Sequence, residues 1–413
     1  MRTNLVTVNF DAIRFGHPLP FALRDAEGVL LADKGFVIQS RDELESLVGR
    51  GLSVYIDVAD SEEHRRGYVH RLYSLIDEDK ALGQIAETRI STTDVTANRM
   101  ALADEGQPDW LDLQVQANSV LRDTSSPHFL WRLDRLHNQL RQQAQRNPDG
   151  ALFALFHLSS SELKLYSATH AMLVSVMCGL AAREVLNWPA ELELALGRAA
   201  LTMNLGMTDL QDRLALQTTP VTPEQRKQID QHAANSVQLL EHLGISDAVW
   251  LEAVRDHHSV SSGALTAKSP AQRIARLIQR ADMFGARLAP SASRSPLSPA
   301  AAMQASYFDE NRQVDEAGAA LIKAVGIYSP GSFVRLSTNE VAVVIHRGAN
   351  TTTPRVAVLI NREGLPTADP IIRDTSLREN RIVASVPHRD VKVQINLQRL
   401  LPLTAVQTSD RIW

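Results

Sequence analysis

The sequence predicts a multidomain α+β protein: an all-α centre, a small strand-rich module before it and a short β-rich appendage after it. Three observations predict this. Apolar residues recur at helical spacing from Ala151 to Gly326, short β-prone runs parted by turn residues fill Leu5 to Asp57, and similar runs return after Tyr328. These changes of pattern divide the chain into a strand-rich module at 1–60, a helical connector at 61–150, an all-α domain at 151–327 and a β-rich appendage at 328–413.

In the first module, Phe21–Leu23, Val29–Leu31 and Val54–Ile56 read as strands, with Asp25, Gly28, Lys34 and Gly35 supplying turns. Ser40 and Glu43 have capping-box spacing ahead of Leu44, Leu47 and Val48, so a short helix is expected among the strands. A sensory or docking unit and a plain structural cap are both compatible with this module. In the connector, Tyr68, Leu72, Leu75 and Ile76 form one helical stripe and Leu130, Leu133, Leu136 and Leu140 another, with the polar stretch Ser91–Pro108 between them. Such stripes suit a homodimer contact as well as an intrachain bundle.

The centre is broken at Asn187–Pro189, Thr218–Pro223 and Ser259–Pro270, and the Ser, Ala and Pro cluster from Ala289 to Ala302 reads as an exposed loop. Beyond it, Phe333–Leu336, Val341–His346, Arg355–Ile360 and Val391–Ile395 are the expected strands.

Composition excludes several classes. Hydrophobic residues at 44% and charged residues at 22% are ordinary for a folded chain. A net charge of −4 supplies no general basic field, which disfavours a nucleic-acid polymer or an anionic membrane as partner. Cys178 is the sole cysteine, so an intrachain disulfide and a thiolate metal cluster are both excluded. A reducing cytoplasm is the expected setting. Met1–Pro20 lacks the blocks of a signal peptide and Ala171–Ala182 is too short to cross a bilayer, so no membrane span is expected.

The candidate chemistry lies between Tyr166 and Asp282. Tyr166, His170, Leu173, Val174, Met177 and Ala181 share a helix face, which turns His170 inward. A lone imidazole of this kind is more often a hydrogen-bonded core residue than a ligand. Other helices repeat the pattern, however: His232 lies in the stripe Ile229, Ser236, Leu239, Leu243, and the stripe ending at Val254 leads into His257 and His258. Asp282 extends the stripe Ile274, Leu277, Ile278, Ala281, and a carboxylate there needs a cation or an imidazolium beside it. Imidazoles and a carboxylate on facing helices suit one divalent transition metal such as iron, manganese or zinc, and a metal pair of this kind hydrolyses phosphoesters.

These residues occur in an order that resembles the HD-GYP branch of the HD-domain metal-dependent phosphohydrolases, whose active members hydrolyse cyclic di-GMP. The resemblance runs from about Leu155 to Gly331 and rests on Tyr-Ser-Ala-Thr-His at Tyr166–His170, Ala-Ala-Leu-Thr-Met-Asn-Leu-Gly-Met at Ala199–Met207 and Val-Thr-Pro-Glu-Gln at Val221–Gln225. It continues through His232, the His257–His258 doublet, Ala-Asp-Met-Phe at Ala281–Phe284 and Arg294 before Ser295 and Pro296, and the β-rich tail from Ser329 to Pro370 fits it too. It implies an HD-type helical domain with metal ligands at His170, His232, His257, His258 and Asp282.

The departures are specific. Met203 stands where the resemblance implies a histidine ligand, Asn204 where it implies the bridging aspartate, and Met207 where it implies a phosphate-binding lysine. After His258 the chain reads Ser-Val-Ser-Ser-Gly-Ala-Leu, with no Gly-Tyr-Pro. A thioether is a poor ligand for hard cations, and neutral Asn204 cannot supply a bridging charge. Asp209 and Asp212 read as solvent-facing helix charges rather than replacement ligands, and Arg183, Arg198, Arg273 and Arg294 as mostly surface charges.

The expectation is a cyclic di-GMP-linked signalling protein that is catalytically impaired and acts by binding cyclic di-GMP, a related nucleotide or a protein partner. An active phosphodiesterase with a remodelled metal site and a helical scaffold unrelated to nucleotide are the alternatives.

Overall fold

Helix boundaries follow from side chains that satisfy the orphan N–H groups of a first turn. Thr222 and Gln225 form a reciprocal capping box with Pro223 opening the helix, Asp247 accepts from the N–H groups of Val249 and Trp250, and Ser298 and Asp315 accept from Ala301 and Gly318. Exits are set similarly: Gly244 (φ 79°) and Gly326 (φ 83°) take the positive φ that ends a helix, and Asn187 does so at φ 52°.

The computed structural model describes residues 110–405, apart from 162–164, 261, 289–296, 392 and 394–396, together with short stretches of the first 57 residues. The stripe at Tyr68, Leu72, Leu75 and Ile76, the stretch Ser91–Pro108 and Arg294 lie outside the described residues, as does most of Val391–Ile395. Two compact units divide the chain, Met1–Asp112 and Leu113–Trp413.

In the first unit β1 (Leu5–Val8), β2 (Leu23–Arg24), β3 (Leu30–Ala32) and β4 (Val54–Asp57) form an antiparallel sheet in the order β1-β4-β2-β3. Ser40 Oγ accepts from the Glu43 N–H as expected, but the Glu43 carboxylate returns to the N–H of Gln39 rather than to that of Ser40.

The second unit is helical and then β. Ahead of its strands come α1 (Trp110–Arg122), α2 (Phe129–Arg146), α3 (Pro148–Ser161), α4 (Tyr166–Leu180), α5 (Ala190–Thr202), α6 (Thr208–Leu216), α7 (Pro223–His242), α8 (Ala248–Asp256), α9 (Pro270–Leu288), α10 (Pro299–Tyr307) and α11 (Glu316–Val325). A π-helical turn, Ala181–Val185, prolongs α4, and a 3-10 turn, Leu205–Met207, joins α5 to α6. Mostly apolar and buried on nearly every face, α4 sits in the middle, packed by α2, α3, α5, α6, α9 and α11. Five antiparallel strands follow in the order β8-β7-β6-β5-β9: β5 (Phe333–Leu336), β6 (Val341–His346), β7 (Arg355–Ile360), β8 (Pro366–Asp374) and β9 (Ile382–Val386). One face of that sheet buries Val334, Leu336, Ala342, Val344, Val356 and Val358 together.

The architecture is therefore α+β, with a helical centre and strand-rich regions on either side of it in sequence. Three local readings change. Leu130 is exposed while Phe129 and Leu133 are buried, so the α2 stripe begins one residue earlier than expected. The cluster read as a loop at Ala289–Ala302 ends inside α10, because Ser298 and Pro299 form a helix start; Ala302 is fully buried. Val391 and Val393 are not in a strand, whereas β8 and β9 are strands the pattern did not suggest. Among the described residues no helix is long and apolar enough to cross a membrane.

One buried imidazole outside the candidate site gives a pH prediction. His137 of α2 lies against Gly197, where a Cβ would come within 2.0 Å of its Nε2, and burial with nearby Arg141 lowers its pKa to about 4. Since the unfolded value is near 6.5, the unfolded chain binds the extra proton first, so stability is full above that pH and falls as the pH drops from about 6.5 to about 4. His137's share is roughly 3 kcal/mol at most. Urea titrations at both ends of that window should show His137→Phe losing less stability on acidification than wild type; an equal loss would remove His137 as a contributor.

Candidate functional site

Five candidate ligands come from four helices, and the fold separates them into two groups. His232 on α7 and the His257–His258 doublet closing α8 converge: their ligand atoms all lie within 4.8 Å of one another. His170 on α4 and Asp282 on α9 close on each other instead, with His170 Nε2 2.7 Å from Asp282 Oδ1. That contact answers the carboxylate's need for a partner without a cation.

The tautomers of two histidines in the first group are set by backbone. His232 Nδ1 lies 2.5 Å from the carbonyl of Ile229 and His257 Nδ1 2.7 Å from that of Val254. A carbonyl only accepts, so each Nδ1 carries the proton and, in the neutral ring, each Nε2 presents a lone pair. Those two Nε2 atoms stand 3.1 Å apart, and His258 Nε2 is 3.2 Å from that of His232. Burial favours the neutral rings: it lowers the pKa of His257 to about 3, aided by His258, and lowers that of His232 as well. Two lone pairs thus face each other with no proton to share, an arrangement that calls for a cation.

The spacing also fits. Nitrogen ligands at about 2.0–2.1 Å from one ion are separated by about 3 to 3.4 Å in octahedral to tetrahedral geometry. The contacts holding the two Nδ1 atoms are of the kind that orient metal-binding imidazoles. The donor set therefore suits a single divalent transition metal.

The second group is shaped by close packing. The His170 ring lies 5.5 Å from that of Tyr166, and a Cβ on Gly285 would sit 3.0 Å from both Nδ1 and Cε1 of His170. Gly285, three residues after Asp282, thus makes room for the imidazole, a role its position in the chain did not advertise. Burial raises the Asp282 pKa, but the His170 hydrogen bond and the fields of His170, His257 and His258 outweigh it and hold the carboxyl well below its usual range.

The departures from the resemblance lie beside this site. Ser236 Oγ, one turn after His232, donates to the carbonyl of Met203 at 2.9 Å and accepts from Gly206 N–H at 2.9 Å. A Cβ at Gly206 would come within 2.8 Å of the His232 carbonyl, so the 203–207 turn is pressed directly onto α7. Met203 is fully buried, Asn204 is nearly so and Met207 is half-buried. Among the described residues the Asn204 Oδ1 atom is buried with no hydrogen-bond partner. An aspartate there would present a charge in the same place.

Other candidates are otherwise engaged. Asp212 is buried rather than solvent-facing: one oxygen accepts from the Ser167 N–H at 2.6 Å, tying it to the first turn of α4, and the other meets Arg122. Asp209 is exposed and also pairs with Arg122. Arg198 grips Asp134 through two bonds of 2.8 Å, and Arg273 donates to the carbonyls of Leu265, Lys268 and Thr266. Both guanidiniums are thus engaged in contacts within the helical region.

Fold and donor geometry together give a helical domain with three converging histidines that could hold a cation. No family model and no curated protein matches the chain. Among solved structures it is similar to Bd1817, a HDG"Y"P protein from Bdellovibrio bacteriovorus, with a TM-score of 0.39 and 14% identity over 77% of this chain and 98% of that one. A likeness that slight carries no argument about chemistry.

Proposed function

We propose that this chain is a cyclic di-GMP-linked signalling protein of the HD-GYP type with impaired catalysis, acting through ligand binding or protein interaction. The carrying observation is the division of the candidate ligands: three imidazoles converge, while His170 and Asp282 satisfy each other and Met203 and Asn204 occupy the turn beside them. His232, His257 and His258 would hold one iron, manganese or zinc ion, which when bound supplies Lewis acidity toward a phosphate oxygen. The residues around it supply less. Neutral Asn204 brings no negative charge with which to bridge a second ion, and the Met203 thioether offers hard cations little.

The test is anaerobic incubation of the full chain with cyclic di-GMP and either iron or manganese, following the linear products by chromatography. The expected result is metal retained by wild type, lost by His257→Ala, and no linear product above the metal-only blank. Turnover by wild type that disappears in His257→Ala would establish instead an active phosphodiesterase with a remodelled site.

A further inference from the structure

The two members of the His257–His258 doublet are held differently. His257 is fully buried and its ring is fixed by the bond to Val254, whereas His258 is exposed and, among the described residues, its ring makes one hydrogen-bonding contact, to His232. The direction of the His258 ring therefore depends on the backbone of the turn that closes α8. Two bonds fix that backbone just beyond His258. The Ser259 N–H donates to the Asp256 carbonyl at 2.8 Å, and Gln279 Nε2 on α9 donates to the Ser259 carbonyl at 3.2 Å.

Gln279 is itself anchored. Its carbonyl oxygen accepts from Arg276 Nη1 at 2.6 Å, and Arg276, 2% exposed, is clamped by Asp315 and Glu310 at 2.6–2.9 Å. A primary amide is the side chain that fits between a guanidinium and a carbonyl, because it accepts at one end and donates at the other.

We infer that Gln279 is a positioning residue of the three-histidine site, holding the 257–259 turn so that the His258 imidazole faces His232. The inference rests on His232, His257 and His258 binding a metal ion. α9 then serves both groups of candidate ligands, through Gln279 for His258 in one and, three residues later, through Asp282 for His170 in the other.

Gln279→Glu separates this role from packing. Glutamate keeps the acceptor for Arg276 and loses the donor to Ser259. The experiment titrates the full chain with manganese or zinc against a chromophoric chelator, alongside thermal unfolding of the metal-free protein. Wild type should bind one ion, Gln279→Glu should bind it about tenfold more weakly with the metal-free unfolding midpoint preserved, and Gln279→Glu should cost nothing further in a His258→Ala background. Failure of wild type to bind any ion overturns the metal-binding reading and this inference with it. Binding by wild type with undiminished affinity in Gln279→Glu overturns the positioning role alone, as does an equal loss in the His258→Ala background.

Discussion

Asp315→Ala should lower the unfolding free energy by about 3–5 kcal/mol, a loss typical of removing one partner from a buried ion pair. The effect is large because Arg276 and Arg280 are each only 2% exposed and both reach Asp315, Arg276 at 2.6 Å and Arg280 at 3.4 Å. The same carboxylate accepts from the Gly318 N–H at 2.8 Å and so begins α11. Two guanidinium groups would keep neutral acceptors at Gln279 and the Phe308 carbonyl but, among the described residues, only the Glu310 carboxylate, which their hydrogen bonds and charge already hold down to about 2. Urea unfolding of the full chain measures this. Glu310→Ala provides the internal control: that side chain is 33% exposed, so water can replace part of what is lost and a smaller effect is expected. A loss below about 1 kcal/mol in Asp315→Ala would mean that the arginines find other acceptors.

The second large effect concerns metal content. Met203→His together with Asn204→Asp should raise bound manganese or iron from about one to about two ions per chain, because binuclear sites need a bridging charge and ligands on both sides of it. Among the described residues the Asn204 Oδ1 atom is buried and has no hydrogen-bond partner, so an aspartate there needs a cation more than the amide does. Met203 is fully buried, and a histidine in its place brings an imidazole to the turn that Ser236 ties to α7. Elemental analysis after reconstitution gives the count, and the metal-free double variant should unfold more readily than wild type. An unchanged count would show that His170 and Asp282 stay locked on each other.

What sequence alone conveyed was where chain segments start, stop and face. The breaks read at Asn187–Pro189 and Thr218–Pro223 fall at helix boundaries, and the inward direction of His170 and His232 follows from 3.6-residue spacing. What it could not convey was who meets whom. His170 and Asp282 are 112 residues apart, and periodicity gives each a face but not a partner. Charged residues mislead for the same reason: Asp212, Arg276 and Arg280 look like surface groups until a partner from another element is known, and only then does burial make sense. Strand β8 escaped notice because Pro366 and Pro370 lie within it, and a proline usually argues against a strand.

Those prolines bear on how the protein behaves in concentrated solution. The C-terminal sheet is not closed: β8 lies on one rim and β9 on the other, and β8 runs for nine residues with Ile371 and Ile372 exposed. A long rim strand with exposed apolar side chains is where a second molecule would ordinarily add a strand and begin a fibre. Pro366 and Pro370 deny that rim two N–H donors, and Asp369, Arg373 and Asp374 place charge along it. The rim is therefore made less attractive to other copies by its own residues, and replacing both prolines would favour aggregation while leaving the helical centre untouched.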